Sequence, residues 1–130
     1  MSQPSTAEVT ITEGEDETTR VYVVSPTGVP ITLGKATGWG LTVTAHYPDR
    51  VSETIHTLSN IEPAGFFQPE VTYDGGWTAN SVGYTFAHRL LNSNVQFKGL
   101  HRYTLEYNFR TVDYGQLYAT KRIFVRPSQR

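Results

Sequence analysis

From His101 to Arg110 the chain alternates: Tyr103, Leu105, Tyr107 and Phe109 take every second position, with Arg102, Thr104, Glu106, Asn108 and Arg110 between them. A period of two belongs to a strand with one buried and one solvated face. Asp113-Tyr114-Gly115 then supplies a turn, Leu117 to Arg126 supplies a second run, and Pro127 stops it. The last third of the chain is therefore a β-hairpin that ends a β-rich domain.

Weaker versions of the same pattern fill the rest. Glu8–Thr12 predicts a short strand with Val9 and Ile11 on one side, followed by the acidic turn Glu13-Gly14-Glu15-Asp16. Thr18–Val24 is rich in β-branched residues that suit a pleated surface. Ser25-Pro26-Thr27-Gly28 is a turn, because proline pre-sets its own φ and glycine accepts a positive one. Val29–Leu33 resumes as extended chain, and the glycine-rich Gly34–Gly40 stretch is expected to bend or bulge. Leu41, Val43, Ala45 and Tyr47 mark a clear strand ended by Pro48-Asp49. Val51–Leu58 alternates without an apolar face and predicts an edge strand. Pro63-Ala64-Gly65 breaks the chain before the apolar pair Phe66-Phe67, Gln68–Tyr73 predicts another strand, and Val82, Tyr84, Phe86 and His88 mark a firm one.

The sum is an all-β chain of about seven to eight short strands with no helical stripe, which predicts an antiparallel β-sandwich in preference to a small barrel. The expected division is a polar, flexible N-terminal arm over residues 1–7, one sandwich domain over 8–127 and a short tail over 128–130. Trp39 and Trp77 lie beside glycines and are expected to plug the ends of the core, each indole N–H meeting a carbonyl.

Composition removes several function classes. With 130 residues the chain can bury a core without metal or disulfide staples. It contains no cysteine, which excludes a disulfide framework, a thiolate zinc site and a cysteine nucleophile. A formal charge of -1 argues against nucleic acid as a partner. No apolar stretch approaches a membrane span and the first residues are polar, so the expectation is a leaderless chain that is soluble and has no membrane partner. The charge is unevenly placed, however. Residues 1–17 hold Glu8, Glu13, Glu15, Asp16 and Glu17 and no Lys or Arg, whereas 98–130 hold Lys98, Arg102, Arg110, Lys121, Arg122, Arg126 and Arg130 against Glu106 and Asp113. Those ends either pair within the chain or meet the opposite ends of neighbouring subunits.

Catalytic patterns are missing. His46, His56, His88 and His101 are scattered one to a strand without metal-ligand spacing, and neither Glu53 nor Glu106 is placed beside them by the sequence. The acids Glu53, Glu62, Glu70, Asp74, Glu106 and Asp113 are ordinary turn and strand-face residues, and no nucleophile elbow or phosphate loop is present. No cofactor, metal or catalytic residue is assigned. Tyr73, Trp77, Tyr114 and Tyr118 are the aromatics that a glycan-binding face would use. Phe66, Phe67, Arg122, Arg126 and Arg130 are the candidates for a protein interface.

The order of these motifs resembles a known family. Val9-Thr10-Ile11, the Glu13–Asp16 turn, Val21–Val24, the turn ending at Gly28 and Pro30-Ile31-Thr32-Leu33-Gly34 are similar to the start of immunoglobulin-like domains in tailed-phage virion proteins. Gly83-Tyr84-Thr85-Phe86, Tyr103–Phe109, Asp113–Gly115 and Ile123-Phe124-Val125-Arg126-Pro127 are similar to their end. The turn Ser25–Gly28 lacks the family's aspartate, and 50–80 lies outside the resemblance. The resemblance implies a non-enzymatic structural protein on the particle surface, soluble before assembly. A capsid decoration protein bound to the major capsid protein, or a tail or baseplate accessory protein, fits it, with a homo-oligomer as the expected state. A module that binds a surface glycan for host attachment stays open beside it.

Overall fold

The structure, a computed structural model, describes residues 5–74, 83–91, 95, 97–99 and 101–127. Its strands run in the order β1 (Ser5–Thr12), β2 (Glu17–Val21), β3 (Ala36–His46), β4 (Glu53–Ile61), β5 (Phe67–Thr72), β6 (Tyr84–Leu90), β7 (Arg102–Thr111) and β8 (Gln116–Arg126). Two sheets result, one ordered β1-β8-β7-β3-β4 and the other β2-β6-β5. All ladders are antiparallel except β1 on β8, which is parallel and so corrects the expectation of a wholly antiparallel sandwich.

The terminal hairpin shows how sequence sets register. Thr111 N–H donates to Gly115 O at 2.9 Å, and Thr111 Oγ1 accepts the Tyr114 N–H at 2.8 Å. Gly115 sits at φ 69°, a conformation that favours glycine. Counting outward equally from Asp113 then pairs Tyr107 with Ala119 and Arg102 with Phe124. Further back, Gly34–Gly40 bends and bulges as expected, though most of it is carried inside a strand. Its first part is a single 3-10 turn at Leu33–Lys35, and β3 starts at Ala36 with register shifts beside Gly38 and Gly40. A Cβ on Gly40 would stand 2.8 Å from Leu58 O, so only glycine lets β4 approach there.

Inward residues of both sheets make one core. Trp39, Leu41 and Val43 on β3, Leu105, Tyr107 and Phe109 on β7, Ile123 and Val125 on β8 and Phe86 on β6 are all at most 1 % exposed. Trp39 lies at the centre and does not plug an end. Its ring meets Phe66 at 4.9 Å, Phe86 at 5.1 Å, His88 at 4.9 Å and Tyr107 at 6.0 Å. The expected carbonyl partner is missing: Trp39 Nε1 is buried without a hydrogen bond among the described residues. An unmet donor costs about 1–3 kcal/mol, whereas truncating a packed tryptophan costs about 3–5 kcal/mol, so packing decides its position. Trp77 lies outside the described residues.

This arrangement is immunoglobulin-like by its own topology. In such domains the strands after the first follow B, C, C′, D, E, F and G, with G, F, C and C′ in one sheet and B, E and D in the other, which matches the observed order. A buried tryptophan on the third strand is a hallmark, and Trp39 is 0 % exposed on β3. A tyrosine near the start of strand F that bonds upstream backbone is another. Tyr103, at the start of β7, accepts the Lys98 N–H through its hydroxyl at 2.9 Å. Leu105 occupies the position two residues on, where antibody domains carry a disulfide cysteine.

Polar groups also link the two sheets, from β8 to β2. Lys121 takes an inward position on β8 and reaches across to β2, pairing with Glu17 at 3.2 Å and donating to Thr18 O and Thr19 Oγ1, each at 3.1 Å. On the facing strands, the Tyr107 hydroxyl lies 3.0 Å from His88 Nδ1. Burial holds the Lys121 ammonium below its usual pKa, and Glu17 opposes that shift. Lys121→Ala leaves Glu17 with its charge largely out of water and is expected to lower stability by about 2–3 kcal/mol. The double variant Glu17→Gln/Lys121→Met is expected to recover most of it in urea unfolding. Equal losses in the single and double variants would contradict the clamp.

Desolvation, with repulsion from His56 second, pushes His88 down to about 4. The unfolded chain takes up that proton near pH 6.5. Stability is therefore complete above pH 6.5 and falls as pH drops toward 4, by about 2–3 kcal/mol, before levelling. His88→Gln is expected to lose this part of the pH slope in unfolding curves measured from pH 7 to 4. Parallel slopes for the two proteins would contradict it.

The expected arm also needs correction. Ser5, Thr6 and Ala7 pair with Ala119, Thr120 and Lys121, so three of the seven residues assigned to it belong to the β1 ladder. Residues 1–4 and 128–130 lie outside the described residues. Deleting residues 1–7 is expected to remove about three net hydrogen bonds and about 1–3 kcal/mol, read as a lower denaturation midpoint. An unchanged midpoint would restore the arm.

Candidate binding face

The inward set of residues leaves a defined outward set on the five-stranded sheet. Arg102 and Thr104 on β7 stand opposite Phe124 and Arg122 on β8, and His46 and Thr44 on β3 flank Arg102 and Thr104 from the other side. These side chains surround an open depression of about 320 Å³, floored by Tyr103 and Ile123, which are buried beneath it. A smaller hollow of about 200 Å³, lined by His46, Tyr47, Pro48 and Arg102, adjoins it.

The rim is held in place. His46 Nδ1 lies 2.8 Å from Ser52 Oγ and its Nε2 lies 2.6 Å from Thr104 Oγ1, so both ring nitrogens are engaged. Arg102 Cζ lies 5.2 Å from the Phe124 ring centroid, and Arg50 Cζ lies 4.0 Å from that of Tyr47. In both contacts the ring face attracts the cation above it. The ion pairs among the described residues are Arg89–Asp16 and Lys121–Glu17, and neither involves Arg102 or Arg122.

Of the residues that the sequence singles out for an interface, Arg122 lines this depression and Arg126 is exposed further along β8, while Arg130 lies outside the described residues. Phe66 and Phe67 are not surface anchors. Both backbone N–H groups donate to Pro63 O, at 3.1 and 2.9 Å, and the resulting turn directs the rings inward. Phe66 packs on Trp39, and Phe67 is 3 % exposed against Phe86 and Phe109. Among the proposed glycan contacts, Tyr73 and Tyr118 are exposed, but Tyr73 follows β5 in one sheet and Tyr118 belongs to β8 in the other. Tyr114 packs against the core, and Trp77 lies outside the described residues. These tyrosines do not make one stacking platform.

Sequence reading missed His46, Arg102 and Phe124 as a group. The signal was present in the hairpin itself, because equal counting from Asp113 puts Arg102 beside Phe124 and Thr104 beside Arg122. Placing β3 against β7, which adds His46, required the tertiary fold.

Among the described residues no group of His, Asp and Glu is placed to hold a metal ion, and no helix is long and apolar enough to cross a membrane. No family model and no curated protein matches the chain. Among solved structures, murine CRIg is similar at 15% identity and a TM-score of 0.41, over 97% of this chain and 94% of that one.

Proposed function

We propose that this chain is a non-enzymatic virion protein, a capsid decoration protein or a tail or baseplate accessory protein, that adheres through the outer face of its five-stranded sheet. The resemblance of its turn and strand motifs to phage immunoglobulin-like modules supports the particle. The observation that carries adhesion is the open depression whose cations Arg102 and Arg122 belong to neither the Arg89–Asp16 nor the Lys121–Glu17 ion pair, with Glu8 in register opposite Arg122. Cations beside an aromatic plate are the chemistry of a protein contact surface, where Arg and aromatic residues supply much of the binding energy. The partners in this reading are the major capsid protein or a tail or baseplate protein, and the location is the particle surface.

The test is pelleting with capsids, and separately with tails and baseplates, after removal of their accessory proteins, with the mass of the free protein taken by light scattering. Saturable binding to one of them is expected, weakened about tenfold or more between low salt and 0.5 M salt, because exposed charges are screened beyond a few ångströms there. Protein that stays in the supernatant with every particle fraction would overturn the reading.

A further inference from the structure

Arg102 and Arg122 stand on one diagonal of a two-by-two block on β7 and β8, with Thr104 and Phe124 on the other. Diagonal neighbours on adjacent strands lie about 7–8 Å apart, close enough for two long cationic side chains to repel. Four of the five acids in the N-terminal stretch are engaged elsewhere. Glu13 Oε2 accepts the Gly99 N–H at 2.9 Å and Glu15 Oε1 accepts the Thr12 N–H at 2.7 Å. Asp16 pairs with Arg89 at 2.8 Å, and Glu17 pairs with Lys121 at 3.2 Å. The acids in register nearby are Glu106, two positions along β7 from Thr104, and Glu8, opposite Arg122 in the β1–β8 ladder.

Resting on the adhesion reading, we infer that this block is a subsite for an acidic peptide segment of the partner protein, with two of its carboxylates on Arg102 and Arg122 and an apolar side chain on Phe124. A guanidinium fork matches a carboxylate in two parallel hydrogen bonds. The Arg102–Phe124 contact places one such fork beside an aromatic ring, and the Phe124 ring offers an apolar contact that a free phosphate does not use. The depression is open and about 320 Å³, a shape that admits side chains from a passing segment and does not enclose a small molecule. In the acidic turn of a second copy, Asp16 is already paired with Arg89 and Glu13 and Glu15 each hold a backbone N–H, so a free acidic segment is the better-matched occupant.

The experiment titrates the isotope-labelled full chain with a blocked peptide of alternating Glu and Leu, the same peptide with Gln for Glu, inorganic phosphate, and a carboxylated oligosaccharide. The acidic peptide is expected to shift amides at 102–104 and 122–124, with affinity about tenfold lower in Arg102→Gln and in Arg122→Gln, whose remaining spectra match the parent. Equal response to the Gln peptide or to phosphate, preference for the oligosaccharide, or unchanged affinity in both variants would overturn the subsite. The double variant is then pelleted with particles. Pelleting equal to the parent's would overturn the subsite and leave adhesion standing. Peptide binding by a parent protein that pellets with no particle would overturn the particle reading and leave the subsite standing.

Discussion

Everything in this sandwich is arranged around the Trp39 ring. It is fully buried on β3 and contacts rings from β6, from β7 and from the segment that leads into β5, so one side chain touches both sheets. A domain of this topology commonly closes its core with a disulfide between the sheets. This chain has no cysteine. The aromatic cluster does that work through contact area, and it tolerates an indole N–H without a partner because the packing is worth more than the lost hydrogen bond.

The polar group of Glu17, Lys121 and Thr19 is the second link between the sheets, and the Tyr107–His88 hydrogen bond is a separate polar contact across them. Apolar packing alone leaves sheets free to slide, whereas a buried charge with three oxygen partners has one satisfied position. It also explains the uneven charge along the chain. The acidic N-terminal stretch and the basic C-terminal region meet within one molecule through Glu17 and Lys121, while Asp16 pairs with Arg89 on β6. On the outer face of β7 and β8, Arg102 and Arg122 flank Phe124 and take part in neither pair.

Much of the fold was legible because side-chain alternation is a local property. The β7–β8 hairpin, the edge position of β4 and the all-β class follow from period and turn residues. The errors share one cause. Phe66 and Phe67 look like a surface anchor when 50–80 shows no apolar face, and only the Pro63 turn and the position of Trp39 reveal that they close the core. Ser5–Ala7 look like a loose arm because their pairing partner lies on β8, at the far end of the sequence. The binding face was half legible. The hairpin alone pairs Arg102 with Phe124, but His46 reaches them only across a ladder between distant segments.

In the proposed reading the inner faces of both sheets hold the fold together, and the outer face of β8-β7-β3 meets the partner. A cryo-electron microscopy reconstruction of the particle with this protein bound tests that division directly. The account predicts density from the particle against Arg102, Arg122 and Phe124, with the β2-β6-β5 sheet facing solvent. A map in which the β2-β6-β5 sheet meets the particle and the outer face of β7 and β8 stands open would contradict it.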